Sequence, residues 1–266
     1  MTRLGLCLPS FVDDPAIPLA VARAAEDAGL DGVFVYDHVW REVPPPRRPA
    51  LECFTLLGAV AMETSHIHVG TLVARASLRP PAVLAHSFET AHRVSGGRLI
   101  AAIGAGDSQS REENESFGLE FGTMADRVEA LHDAVRASHG RGFPVWVGGQ
   151  AAALREVVAL ADGWNDWGSA PEEFVRRSEL VRTVAPHAEL TWGGLVLVGR
   201  DDAHADSKRA DRNVGPGVIV GGPERVAAQL QRYADVGATW TIVAPLDASD
   251  PENAAVLGRV RELLAG

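Results

Sequence analysis

Cysteine is nearly absent. The 266-residue chain carries only Cys7, on a predicted buried strand, and Cys53, at a predicted helix start. Two such residues exclude a disulfide framework and a cysteine-based metal signature, and they fit a reducing cytoplasm. Basic residues are also few: 25 Lys and Arg face 35 Asp and Glu, a net charge of −10, whereas a nucleic-acid or membrane-surface partner would want a basic face. An anionic ligand would therefore need a local arginine cluster. No run of eighteen apolar residues occurs. The start, Met1-Thr2-Arg3 and an apolar stretch interrupted by Pro9, lacks the hydrophobic length and small-residue cleavage site of an export signal. His66, His68, His86, His92 and His132 show neither His-x-x-x-His nor a carboxylate spacing, so no metal is expected.

The chain does contain a series of short β-type runs alternating with segments of helical periodicity. Leu4–Leu8 reads as the first strand, and Ile17, Val21, Ala24, Ala25 and Ala28 share one helical face before Gly29 closes the helix. Val33–Tyr36, a helix around Phe54–Glu63, Ile67–Val73, helix Ala82–Val94, Leu99–Ile103 and helix Ala125–Ala137 continue the series. Val145–Val147 precedes a helix at Ala152–Ala161, a strand near Trp164–Trp167 precedes a helix from Pro171, and Leu195–Val198 precedes helical Ala203–Arg212 and Pro223–Ala234. Thr239–Ala244 and helix Asn253–Leu264 complete eight units. Near-continuous apolar strands mean a parallel sheet covered by helices, and eight repeats in this length favour a single-domain α/β (β/α)8 TIM barrel over residues 1–266. An open doubly wound sheet is the alternative, but Gly-x-Gly-x-x-Gly is missing between the first strand and helix. No low-complexity linker divides the chain, and Pro44–Pro49 reads as an extended loop over the rim.

Chemically loaded residues follow four strands: Asp37-His38, Arg75 with Arg79, Asp107, and Gly148-Gly149-Gln150. A histidine past a strand's C-terminal end can exchange a proton near neutral pH, and the adjacent carboxylate could fix its tautomer; the same dipeptide could merely cap a turn. Asp107, after the glycine-bracketed Gly104-Ala105-Gly106, could act on a ligand or cap a helix. Gly148-Gly149 could cradle a phosphate or form an ordinary strand-helix turn. Arg75, Arg79 and Arg98, with Arg41, Arg47 and Arg48 in the proline loop, could neutralise an anionic ligand or belong to a solvated rim. Core packing is the simplest reading of the six tryptophans.

The run Ala25-Glu26-Asp27-Ala28-Gly29-Leu30-Asp31-Gly32-Val33-Phe34-Val35-Tyr36-Asp37-His38 resembles the first of a set of family signatures. His68-Val69-Gly70-Thr71-Leu72-Val73, Arg79-Pro80, Ser95-Gly96-Gly97-Arg98-Leu99 and Gly104-Ala105-Gly106-Asp107 continue it, with Pro144–Gly149, Ala161–Trp164 and Val220–Val226 beyond. Together, in order and spacing, they resemble the bacterial luciferase-like flavin and deazaflavin oxidoreductases, in particular the coenzyme F420-dependent branch, over about nine-tenths of the chain. The resemblance implies a (β/α)8 barrel, usually dimeric, holding F420 or FMN at the C-terminal strand ends and moving two electrons. By that match His38 is the proton-exchanging base and Asp107 stands where relatives often have a proton-donating glutamate. Asp37, Arg79, Arg98, Gly104, Gly106, Gly148, Gly149 and Gln150 contact the cofactor, and Leu72-Val73 falls at a β-bulge with a non-proline cis peptide. The chain departs from the family before the fifth strand, where only Ser138–Pro144 stands in place of a longer covering segment.

These readings lead to an F420-dependent oxidoreductase that exchanges a hydride between the deazaflavin C5 and a small organic substrate, cytoplasmic and homodimeric, without nucleic-acid or membrane partners. An FMN monooxygenase and a non-catalytic flavin-binding or deazaflavin-binding barrel are the alternatives.

Overall fold

The structure, a computed structural model, describes residues 2–41, 48–107, 110–150 and 152–265. Eight parallel strands form a ring: β1 (Arg3–Cys7), β2 (Gly32–Val35), β3 (His68–Arg75), β4 (Leu99–Gly104), β5 (Val145–Gly148), β6 (Gly163–Trp167), β7 (Glu189–Val198) and β8 (Trp240–Pro245). Each strand pairs with the next and β8 pairs with β1, so the ring closes as a (β/α)8 barrel. A short strand, Ile219–Gly221, joins the end of β7 from outside the ring. The helices are α1 (Ala16–Asp27), α2 (Cys53–Glu63), α3 (Pro81–Val94), α4 (Ser110–Ser116), α5 (Met124–Ser138), α6 (Arg155–Val158), α7 (Pro171–Val184), α8 (Asp202–Ala210), α9 (Pro223–Asp235) and α10 (Glu252–Ala265). No described helix is long and apolar enough to cross a membrane.

The barrel interior is filled by large aromatics set against glycines. Phe34, Trp146 and Trp240 pack together with ring centroids 5.7–6.1 Å apart. The strand registers place Gly5, Gly32 and Gly70 beside them. A Cβ on Gly5 would stand 2.8 Å from Phe34, and one on Gly32 would stand 3.0 Å from Trp240. The glycines therefore make room for rings, the small-to-large matching that a tapered barrel core needs. Trp146, Trp164, Trp192 and Trp240 are all fully buried, so core packing holds for four of the six tryptophans.

Gly193-Gly194 shows why β7 is longer than the predicted Leu195–Val198. In sequence the pair looks like a turn, yet it continues the strand from Glu189: a Cβ on Gly193 would stand 2.6 Å from the Trp167 ring, and one on Gly194 would collide with Trp192. Helix α6 is shorter than expected. Residues 152–154 are turn and only Arg155–Val158 is helical, despite the helix propensity of the preceding alanines. Trp40–Arg41 and Arg48–Pro49 pair as a small antiparallel ribbon; Pro44, Pro45, Pro46 and Arg47 of the expected loop lie outside the described residues.

Candidate active site

Parallel strands put all eight C-terminal ends on one rim, and the ends of β2 to β4 carry one cluster of its charged groups. Asp37 and His38 follow β2 directly, yet their side chains have separate partners. The Asp37 carboxylate is 3% exposed and accepts from the Arg75 backbone N–H at 2.9 Å and from two Arg79 nitrogens at 2.7 and 3.2 Å. Arg79 also donates to Glu52 at 2.7 Å and lies over the Phe54 ring at 4.9 Å, while Glu52 caps α2 by accepting from the Thr55 N–H. Arg79 is thus committed to protein carboxylates. Burial works against its charge, but Asp37 and Glu52 outweigh that cost and raise its pKa.

His38 is oriented by a residue the sequence reading did not single out. Glu113 on α4, 3% exposed, takes the His38 Nδ1 at 2.8 Å, the Val39 N–H at 2.6 Å and an Arg75 guanidinium nitrogen at 3.2 Å. Burial favours the protonated acid at Glu113, but the bonds from His38 and Val39 and the charge of Arg75 overcome it and hold the carboxyl below its ordinary value. A carboxylate on Nδ1 selects the tautomer with hydrogen there and leaves Nε2 bare. The ring itself is a third exposed and lies 5.6 Å from Phe11. Tautomer control therefore belongs to Glu113 and not to Asp37. Arg75 is almost fully buried, so burial lowers its pKa while Glu113, Asp37 and Asp107 raise it.

Asp107 accepts from the Ser110 N–H at 3.0 Å and from its hydroxyl at 3.1 Å, which is the capping role the sequence left open. Its side chain is exposed, and the preceding Gly106 has φ +75°, a conformation suited to glycine. Leu72-Val73 is a cis peptide within a register break between Thr71 and Ala74, as the resemblance implied. The half-buried Val73 projects toward the ends of β4 and β5. A Cβ on Gly104 would stand 2.5 Å from one Val73 methyl group, and one on Gly148 would stand 2.6 Å from the other. Those two glycines are bare because Val73 fills the space. Gly149, at φ +131°, is required by its backbone conformation, and it and Gln150 are exposed at the end of β5.

Arg98 stands apart from the others. It precedes β4 and so lies at the N-terminal rim, where its guanidinium donates to the carbonyls of Ser95, Ile67, Ala61 and Thr64 and to the Thr64 hydroxyl at 2.7–3.0 Å. It ties α2 and the turn after α3 to the barrel, on the rim opposite to His38. Across the ring from β2, the mouth is apolar: Trp167, Leu195 and Leu246 are exposed there.

A closed parallel barrel with its polar cluster on the C-terminal rim defines a barrel enzyme. A family described as Luciferase-like monooxygenase matches residues 2–215, and the chain belongs to it. It is 36% identical over 118 residues to an F420-dependent glucose-6-phosphate dehydrogenase of Kineococcus radiotolerans, a match spanning 43% of this chain and 33% of that protein. Its backbone superposes on an F420-dependent secondary alcohol dehydrogenase with an F420-acetone adduct at a TM-score of 0.79, with 15% identity and 99% of both chains covered. A riboflavin lyase with modified FMN and riboflavin gives a TM-score of 0.78 at 14% identity, covering 98% of this chain and 92% of the other. Both superpositions describe the barrel.

Proposed function

We propose that this chain is an F420-dependent oxidoreductase that exchanges a hydride with a small organic substrate at the C-terminal mouth of the barrel. The observation that carries the reading is the His38–Glu113 pair, a proton-exchanging imidazole fixed by a buried carboxylate on the rim of a luciferase-like barrel. The dehydrogenase of Kineococcus radiotolerans supports the choice of cofactor. A homodimer and a cytoplasmic location, both usual for such enzymes, form part of the proposal.

The mouth suits a flat ring. Val73 provides a low apolar floor between Gly104 and Gly148, which contribute no side chains of their own, and aliphatic and aromatic groups face it from the far wall. When bound, F420 accepts or supplies a hydride at C5. His38 Nε2 takes the hydroxyl proton of an alcohol substrate as its C–H hydride leaves, and it returns that proton when a carbonyl is reduced. Glu113 stabilises the imidazolium formed in the first direction and keeps the ring in place throughout. Asp37 and Arg79 hold the end of β2 against β3, which fixes the backbone that carries His38.

The test is His38→Ala, assayed by following F420 absorbance with a panel of secondary alcohols and ketones. Turnover should fall by about 10²–10⁴-fold while F420 affinity stays within about twofold. Full activity in the variant would end the proton-exchange role.

A further inference from the structure

The rim is divided into two sectors of opposite chemistry. The ends of β2, β3 and β4 present His38, Arg75, Arg79 and Asp107, whereas β6, β7 and β8 present three exposed apolar side chains: Trp167 at 42%, Leu195 at 37% and Leu246 at 38%. Register shows that these three face the barrel mouth. Ile242 and Ala244 belong to the interior cluster and pair with Gly193 and Leu195, so Leu195 points to the same side one step nearer the mouth. Trp167 pairs with Gly193, and its ring lies where a Gly193 side chain would be. The Leu246 N–H continues the ladder to the Val196 carbonyl at 2.9 Å, which keeps its side chain in phase with Ala244.

Exposed groups this large cost free energy in water, and here they share the mouth that holds His38. Two cations behind this sector are already committed. Lys208, the chain's single lysine, donates to the Val198 carbonyl at 2.8 Å and pairs with Asp247, and Arg177 bonds the buried Asp166 at 2.6 Å. A phosphate or carboxylate would have to compete with those carboxylates, whereas an aliphatic or aromatic group would simply displace water.

We propose that Trp167, Leu195 and Leu246 form the substrate wall of this site, and that the substrate is a neutral, apolar alcohol or carbonyl compound whose reacting carbon faces His38 and whose hydrocarbon part rests on the wall. This rests on the oxidoreductase reading and adds the substrate class to it.

Calorimetric titration of the full chain, with and without F420, tests the wall using 1-naphthol and 1-naphthyl phosphate as probes. The neutral naphthol should bind at least about tenfold more tightly than its phosphate ester. Trp167→Ala and Leu195→Ala, with unchanged circular dichroism, should each weaken naphthol by about three- to tenfold and alter F420 affinity by less than about twofold. Leu195→Arg should reverse the preference between the two probes. Equal or tighter binding of the phosphate to the unaltered chain would overturn the assignment. So would variants that lose F420 affinity and keep that for naphthol, because the wall would then be a bed for the cofactor. The expected naphthol pattern in a protein that binds no F420 would support the wall and contradict the cofactor reading.

Discussion

Glu113→Ala removes the acceptor on which three donors converge, and its cost can be worked from the geometry. The Arg75 guanidinium, 3% exposed, loses its only ion-pair partner within 4 Å among the described residues and keeps a 3.4 Å bond to Asn114; the Val39 N–H and His38 Nδ1 lose their acceptor as well. Deleting one partner of a buried pair costs about 3–5 kcal/mol. The Asn114 contact and the nearby Asp37 charge place the loss near the lower end, about 3 kcal/mol, which for a chain of this size lowers Tm by roughly 6–12 °C. The sign with pH follows from the depressed pKa: the stabilisation is present above the ordinary carboxylate value of 4.5 and disappears as pH falls through the lower folded-state value. The gap between parent and variant should therefore be full at pH 7 and should close as pH drops well below 4.5. Thermal unfolding followed by circular dichroism at both pH values measures it. Combining the change with Arg75→Leu should recover about 1–3 kcal/mol relative to the sum of the single losses. A single-variant loss under about 1 kcal/mol at pH 7, or strict additivity, would refute the buried-pair argument.

Gly148→Ala should lose about 1–3 kcal/mol because its methyl group meets Val73, and adding Val73→Ala should restore much of that stability; chemical denaturation that finds no rescue would show that Val73 does not set the limit. Asp107→Asn keeps a capping oxygen and should leave stability within about 0.5 kcal/mol, whereas Asp107→Ala should lose about 1 kcal/mol. If turnover follows the charge, falling more than about tenfold in Asp107→Asn, the residue exchanges protons in addition to capping α4.

Most of the eight strands were legible because they are short apolar runs followed by a helix of clear period, and Gly29 closes α1 in sequence and in structure alike, at φ +77°. The chemistry of the β2 end was legible too, since His38 stands immediately past an apolar strand. Glu113 was not. It sits in Arg111-Glu112-Glu113-Asn114-Glu115, where three like carboxylates read as a solvated face; only the burial of Ser110, Glu113 and Asn114, three and four residues apart on one turn of α4, separates it from its neighbours. Arg98 carries a signal in its place along the chain: a residue preceding a parallel strand lies on the rim opposite to one that follows it. Gly104 and Gly148 show the limit of motif reading, since a bare backbone suits a ligand and a neighbouring valine equally well. Only the position of Val73 distinguishes the two.

The most direct measurement is an absorbance and fluorescence titration of the purified chain with F420 and, separately, with FMN. F420 should bind with a Kd of about 1 μM or tighter and FMN at least about tenfold more weakly. Equal affinities, or tighter binding of FMN, would contradict the assignment of this barrel to deazaflavin chemistry.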